Sequence, residues 1–177
     1  LLCALISALA LAAPTRSLIN LSARGTAGGA GSAALTSSFT IEGGVPKTVL
    51  IRAAGPKLAS FPVAGFIADP ALVVFNGFGQ RVGENDNWGS AATSAAIASA
   101  TSAVGAFSFD DNSKDAALLL TLAPGTYTAR VDGVSGSTGI AMLEVYDSDT
   151  VTLTPRLASL NLKAPVASGV PTTVGFV

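Results

Sequence analysis

The chain of 177 residues contains no histidine and only one cysteine, Cys3. This excludes Ser-His-Asp and Cys-His catalytic groups, zinc sites built from histidine or several cysteines, and a disulfide within the chain. Charged residues are also scarce, at 12% of the total, which is about half the usual fraction. Ten basic residues against eleven acidic ones leave no positive field of the kind that holds nucleic acid. These absences argue against a histidine-dependent enzyme and against a nucleic-acid-binding protein.

What the chain has in abundance is short apolar segments separated by turns. Hydrophobic residues make up 49% of it, and 19 glycines and 9 prolines interrupt them. Residues 47–53 and 126–132 alternate with the two-residue period of a β-strand, and residues 116–122 form a continuous apolar run. Strands at intervals of about 8–12 residues with Gly and Pro turns are typical of a sandwich. The sequence therefore predicts an all-β fold, an antiparallel, jelly-roll-like β-sandwich with one short helical insertion near residues 91–104.

The same patterns predict the loops and the core. The small residues at 25–34 (GTAGGAGSAA) indicate a flexible loop, and residues 133–139 (GVSGSTG) indicate a hairpin loop. Alternation along the strands predicts a set of buried side chains: Val49 or Leu50, Val73, Leu118, Leu120, Val131 and Leu143.

The first residues, 1–13 (LLCALISALALAA), are apolar apart from Ser7. As a helix they would span about 20 Å, too short for a bilayer core of about 30 Å, so we expect no stable membrane span. Their length suits the hydrophobic region of a secretory signal peptide. The alternatives are the tail of a preceding segment or a retained hydrophobic element used in assembly. Each of these interpretations predicts a secreted, extracellular or cell-surface protein.

The end of the chain resembles its beginning. Residues 156–162 (RLASLNL) and 172–177 (TTVGFV) repeat the order of elements in residues 16–22 (RSLINLS) and 36–41 (TSSFTI). This is either coincidence among small-residue β segments or the start of a second copy of one unit. We therefore expect a signal-like or assembly segment at 1–13, a β-sandwich domain at 14–149, and at 150–177 a linker followed by a truncated second copy or exchanged strands.

Several short motifs resemble a repeated module of large secreted bacterial surface proteins. They are residues 18–25 (LINLSARG), 46–56 (PKTVLIRAAGP), 85–88 (NDNW), 114–119 (KDAALL), 122–128 (LAPGTYT) and 144–147 (EVYD). Residues 69–147 also resemble bacterial pre-peptidase C-terminal (PPC-like) β-sandwich domains, although the insertion at 90–109 departs from that pattern. The resemblance implies an accessory, binding or structural module attached to other secreted domains.

Oxygen-bearing side chains cluster at two places, and they are the candidate metal ligands. Calcium takes six to eight oxygen ligands, and two loops rich in Asp and Asn would suit it. The alternative is that these side chains cap turns by hydrogen bonding to nearby backbone. The candidates are Asn85, Asp86, Asn87, Asp110 and Asp111, with Asp115 close by in sequence.

Aromatic side chains suggest a second kind of site. A platform for stacking a polysaccharide is one interpretation, and a hydrophobic plug in the core is the other. The residues concerned are Trp88, Phe75, Phe78, Phe107 and Tyr127.

These observations favour a non-enzymatic structural or adhesive module of a secreted bacterial protein, used in tandem repeats. One alternative is a subunit of an extracellular filament, in which terminal strands are exchanged with other copies or with neighbouring domains. Another is a carbohydrate- or calcium-binding accessory domain of a secreted hydrolase.

Overall fold

The computed structural model describes residues 18–28, 34–90, 92–149, 155–165 and 172–176, so the apolar segment 1–13 lies outside the described residues. Within these ranges the chain contains ten β-strands. They are β1 (Asn20–Gly28), β2 (Leu35–Glu42), β3 (Lys47–Ala54), β4 (Pro70–Asn76), β5 (Arg81–Asn85), β6 (Ala116–Leu122), β7 (Gly125–Gly133), β8 (Thr138–Asp147), β9 (Arg156–Lys163) and β10 (Thr173–Phe176). The helix α1 (Ser94–Ala103) lies inside the predicted helical insertion, and 3-10 turns cover Pro56–Ser60, Trp88–Ser90 and Val134–Gly136.

The strands form two five-stranded antiparallel sheets. Sheet 1 has the order β10-β1-β8-β3-β6, and sheet 2 has the order β5-β4-β7-β2-β9. Within them β1 pairs with β8, β2 with β7, β3 with β6 and β4 with β5. These four pairings are those of an eight-stranded jelly roll. The predicted all-β sandwich is therefore confirmed, with β9 and β10 added at the outer edges of β2 and β1.

The main core lies between the two sheets, and alternation determines which side chains enter it. In β7, Ala129 and Val131 are fully buried, as the period of two predicts. In β4 the expected burial of Val73 is wrong, because Leu72 and Val74 point inward and Val73 is only partly buried. Since β4 is apolar at every central position, its sequence carries no alternation that would identify the inward face.

Position within a sheet explains the remaining core predictions. Val49, Leu50 and Leu143 belong to the inner strands β3 and β8 of sheet 1 and are fully buried. Leu118 and Leu120 pack against the core but are only partly buried, because β6 is the edge strand of sheet 1.

Two segments that the sequence predicts to be loops have other roles. Residues 25–28 continue β1 as far as Gly28. A side chain at Gly25 would place its Cβ 3.2 Å from the Cβ of Ala164, so small residues are required there and they obscure the strand pattern. Residues 133–139 do not close a hairpin, because they carry the chain from β7 in sheet 2 to β8 in sheet 1.

The end of the chain contributes both outermost strands on one side of the sandwich. β9 pairs along β2, and β10 pairs along β1. Leu157 in β9 is only 2% exposed, and Leu162 and Ala164 pack against the main core. Residues 156–163 and 173–176 therefore complete the two sheets of this chain.

Leu143 tests the position of the core. Leu143→Ala removes a fully buried side chain from β8 and should lower the free energy of unfolding by about 2–5 kcal/mol. Val82→Ala, on the exposed strand β5, is the control and should change it by less than about 0.5 kcal/mol. Urea denaturation measures both values, and equal effects of the two substitutions would contradict the assigned core.

Candidate functional site

The outer face of sheet 1 is covered by two segments, residues 55–69 and 88–109, rather than exposed to solvent. Leu50 points outward from β3 and packs in a second apolar cluster with Ile97 of α1 and Phe109. Every position of β3 except one is fully buried, so the strand is enclosed on both faces. The candidate site is built on this covered face.

Arg52 and Glu144 form a buried ion pair on the covered face. They are direct neighbours on β3 and β8, with Arg52 Nε 3.6 Å from Glu144 Oε2, which is too long for a hydrogen bond. The hydroxyl of Tyr146 donates to Glu144 Oε1 at 2.7 Å. Arg52 Nη2 donates to the backbone carbonyl of Phe107 at 2.7 Å. The pair therefore connects sheet 1 to the segment that covers it.

The same guanidinium contacts two aromatic rings of that segment. Its central carbon lies 4.5 Å from the ring centre of Phe107 and 4.1 Å from that of Phe109. Both distances are within the range of a cation–π interaction, which is stronger where water is excluded. Arg52 therefore holds residues 107–109 by a hydrogen bond and by two ring contacts.

Burial governs the ionisation of this cluster. Burial lowers the pKa of Arg52 and raises the pKa of Glu144, and the opposite charge of each residue partly offsets the effect on the other. Burial and the adjacent Glu144 also raise the pKa of Tyr146, so its hydroxyl remains a hydrogen-bond donor at neutral pH. Because the charges lie in a low-dielectric region, removing one partner leaves the other buried without compensation.

Asp115 holds the loop that carries Trp88. Its fully buried carboxylate accepts the backbone N–H of Gly55 at 2.7 Å, the backbone N–H of Lys57 at 3.1 Å and the hydroxyl of Ser113 at 2.6 Å. Its backbone carbonyl accepts the N–H of Trp88 at 2.9 Å. One residue thus connects the start of β6, the turn after β3 and the tryptophan loop.

The Trp88 ring lies between two adjacent cavities beside α1. Its Nε1 donates to the backbone carbonyl of Asp110 at 3.2 Å, which orients the indole. The first cavity, of about 280 Å³, is lined by Trp88, Ile97, Ala98, Thr101, Ser102, Ala106, Ser108 and Phe109. The second, of about 400 Å³, is lined by Trp88, Gly89, Ser94, Ala95, Ala98, Asp111 and Asn112. We call these two cavities the Trp88 groove.

Two of the candidate calcium ligands, Asn85 and Asn87, take part in hydrogen bonds with neighbouring groups, Asn85 through its side chain and Asn87 through its backbone carbonyl. Asn85 Oδ1 accepts the N–H of Ala117 at 3.0 Å, and its Nδ2 donates to the backbone carbonyl of Asn87 at 3.1 Å. The same carbonyl accepts the hydroxyl of Ser90 at 2.7 Å. The bond from Asn85 to Asn87 is a local contact of the kind that Asx side chains make in turns, while the bond to Ala117 connects the end of β5 to β6.

The acidic candidates are dispersed. Asp110 Oδ1 pairs with Lys57 Nζ at 2.7 Å, Asp111 lines the Trp88 groove, and Asp86 lines a separate cavity next to β4. Within the ranges that the structure describes, no three Asp, Glu or Cys side chains are grouped closely enough to hold a metal ion. Calcium binding at these residues stays a prediction.

The five aromatic residues of the predicted platform do not form one surface. Tyr127 is buried in the main core, Phe78 is 91% exposed at the tip of the β4–β5 hairpin, and Phe75 belongs to sheet 2. Phe107 packs in the same apolar cluster as Trp88. A stacking surface could therefore include Trp88 and residues 107–109, but not the other three side chains.

The roles of Arg52 and Glu144 were not among the sequence predictions. Each is the one charged residue within a short apolar stretch of its strand, IRAA in β3 and MLEVY in β8. Such a residue normally points to solvent, so the strand pattern alone indicates an exposed face. The contrary signal is that neighbouring positions on the same faces, Leu50 and Ala54 in β3 and Met142 in β8, are apolar, whereas an exposed face would carry polar side chains there.

Comparison with known proteins adds no relative. No family model matches the chain, and no curated protein matches it significantly. Over the described part of the chain, no helix has both the length and the apolar character needed to cross a membrane. What the chain does must be argued from the fold and from the site.

The hydrogen bonds of Asp115 give a direct prediction. Asp115→Ala leaves two buried backbone N–H groups without their acceptor, and should lower the free energy of unfolding by about 3 kcal/mol. Asp111→Ala, at an exposed position of the same loop, should change it by less than about 0.5 kcal/mol. Chemical denaturation gives the energies, and Trp88 fluorescence reports whether its loop has moved. Equal stability of both variants would contradict the role of Asp115.

The raised pKa of Glu144 predicts how stability depends on pH. Because the native pKa lies above the unfolded one, the contribution of Glu144 is fully present below the unfolded pKa and is lost as the pH rises through the native pKa. Glu144→Gln keeps an acceptor for Tyr146 but cannot titrate. The free energy of unfolding of this variant should therefore not show the fall with rising pH that Glu144 causes. The measurement is the free energy of unfolding from about pH 4 to about pH 9. Exposed Glu84→Gln is the control, and a Glu144→Gln profile parallel to that of the unmodified chain would refute the assignment.

Proposed function

We propose that this chain is a non-catalytic structural module of a secreted or cell-surface bacterial protein. The observation that carries the proposal is that its buried charged side chains hold loops and a covering segment in place. Asp115 holds three loops together, and Arg52 with Glu144 attaches the covering segment to sheet 1. Buried charges in catalytic sites face a cavity that admits substrate, whereas these face backbone groups and aromatic rings.

A buried lysine closes one end of the sandwich in the same way. Lys47 is fully buried, with its Nζ 2.8 Å from Asp147 Oδ1 and 3.3 Å from Asp149 Oδ2. The N–H of Thr48 donates to the Asp149 carboxylate at 3.2 Å. These contacts attach the chain that follows β8 to the start of β3. They suit a module that must stay folded between neighbouring domains.

The sequence resemblance supports the same proposal. The motifs shared with repeated bacterial surface modules and with PPC-like domains include the Lys-Asp-Ala segment around Asp115 and the segment around Glu144. In the structure Asp115 accepts a hydrogen bond from the backbone N–H of Gly55, and Glu144 pairs with Arg52. We propose a role in adhesion or in spacing domains, with neighbouring domains or further copies of the module as partners.

A direct test measures activity and calcium dependence together. We expect the purified chain to hydrolyse no glycoside, ester or peptide substrate, and we expect its melting temperature to be the same in calcium and in chelator. The reason is that Asn85 and Asp110 already have partners within the protein. A melting temperature that rises with calcium would instead identify a calcium-binding module by mass action. Turnover that copurifies with the chain would contradict a non-catalytic role.

The Trp88 groove favours one second candidate, a polysaccharide-binding accessory module. The Trp88 ring is half-buried and is oriented by a hydrogen bond. Three residues that carry hydroxyl groups also line the groove: Ser94, Thr101 and Ser108. Sugar rings stack on such aromatic faces and hydrogen bond to the surrounding polar groups.

Retention on insoluble polysaccharides distinguishes the two candidates. If the groove binds sugar, Trp88→Ala should abolish retention while Phe78→Ala, which removes a 91% exposed ring at a hairpin tip, should leave it unchanged. If the chain is purely structural, neither variant nor the unmodified chain should be retained. Equal loss in both variants would indicate non-specific adsorption through exposed aromatic rings and would contradict a sugar site at Trp88.

A further inference from the structure

The sheet edges formed by β1 and β2 lie on the same side of the sandwich. β1 and β2 are adjacent across the core, and a backbone bridge joins Leu18 to Leu157 where β9 begins. Such edges present rows of N–H and C=O groups, which makes them templates for pairing with another strand. In this chain β10 covers β1 and β9 covers β2. We call this side of the module the β1/β2 edge.

The strands that cover this edge resemble β1 and β2 in sequence. Residues 161–164 (NLKA) align with residues 20–23 (NLSA), and residues 173–176 (TVGF) align with residues 36–39 (TSSF). Leu162 and its equivalent Leu21 both pack in the main core. The segment from Arg156 to Asn161 is one residue longer than its equivalent from Arg16 to Asn20. A bulge at Ser159, with φ of 51°, accommodates the extra residue.

The pairing is crossed. β9, which resembles β1, lies on β2, while β10, which resembles β2, lies on β1. Leu21 is opposite Phe176, the equivalent of Phe39, and Ser37 is opposite Leu162, the equivalent of Leu21. The two registers therefore differ by two residues, an even number that keeps the same side chains inward. A first strand on a second strand, in both directions, is the strand order of a two-fold interface between identical modules, in which both strand pairs would share one of these two registers.

Each of the two registers carries one side-chain contact that a second copy in that register would reproduce. Arg24 Nη2 donates to Thr173 Oγ1 at 3.4 Å, and the equivalent of Thr173 is Thr36. Arg156 Nε donates to Glu42 Oε2 at 3.0 Å, and the equivalent of Arg156 is Arg16. The remaining recognition is by backbone groups, which every copy of the module presents.

We infer that the β1/β2 edge is a docking surface for the β1–β2 strand pair of a second copy of this module. Residues 156–163 and 173–176 occupy it here as an equivalent pair from the same chain. The inference rests on the proposed function, which already has further copies of the module as partners, and adds the strands through which two copies join.

The first experiment asks whether the edge recognises the β1–β2 sequence. In the full chain with Cys3→Ser, residues 156–176 are replaced by a copy of residues 16–39, or by the same residues in scrambled order as the matched control. Docking is reported by a disulfide between Arg24→Cys and a cysteine at the copied Thr36. The positive control is the native tail with Arg24→Cys and Thr173→Cys, because these two positions are paired in the structure. We expect the copy to cross-link as fully as the native tail and the scrambled tail to fail. If the copied tail cross-links no more than the scrambled tail, the inference is overturned.

The second experiment asks whether separate chains use the edge. Leu157→Asp places a charge at a position that is 2% exposed and should release β9 from β2. We expect this full-length variant to change from monomer to dimer by light scattering, and a peptide of residues 155–177 to restore the monomer. In the same background, chains with Arg24→Cys should cross-link to chains with Thr36→Cys. These two side chains lie on the outer faces of opposite sheets, so the disulfide cannot form within one chain.

A folded Leu157→Asp monomer without cross-linking would overturn the inference. If near-ultraviolet circular dichroism shows that this variant does not fold, the comparison of copied and scrambled tails decides the matter. Failure of docking in a chain that stays folded and inactive would leave the proposed structural function intact. Turnover or calcium-dependent melting would refute that function without affecting strand docking.

Discussion

The buried pair of Arg52 and Glu144 lies on the outer face of sheet 1, which two segments, residues 55–69 and 88–109, cover. Two charges enclosed in protein need polar partners and packing around them, because water cannot reach them. Tyr146 and the carbonyl of Phe107 supply the partners, while aromatic rings supply the packing. As a result, sheet 1 packs against apolar side chains on both of its faces, the main core on one and the second apolar cluster on the other.

The two edges of the sandwich differ in how they are protected. At one side the short strand β5 and the strand β6 end the sheets, and β5 is largely exposed. At the other side β1 and β2 are long and pair with strands from the end of the chain. An uncovered long edge is a site of association, so we propose that whatever occupies the β1/β2 edge controls how copies of the module meet. The loops near Trp88 lie on the outer face of sheet 1, so the proposed sugar site and the proposed docking edge are different surfaces.

Much of the fold follows from local patterns. Alternation in β3 and β7 and the apolar run of β6 predict strands that the structure contains, and the predicted helical insertion contains α1. The predictions fail where the local pattern carries no information. The run of apolar residues in β4 does not distinguish Leu72 from Val73, and the small residues of β1 after Arg24 resemble a loop because Gly25 must fit beside Ala164. The segment after β7 has the composition of a hairpin loop, although the strands that it connects lie in different sheets.

The candidate site, like the fold, follows from the sequence only in part. Sequence determined that catalysis by histidine is excluded, that the fold is an all-β sandwich, and that Asp- and Asn-rich loops flank the only tryptophan. Tertiary structure decided that Asp115 supports the Trp88 loop, that Asn85 bonds to the backbone of β6, and that the predicted aromatic platform is dispersed over three parts of the molecule. It also decided that Arg52 and Glu144 are buried. The physical reason is that periodicity reports only which residues of a strand share a face. Whether that face meets water depends on segments far away in sequence, here residues 88–109, which cover the outer face of sheet 1.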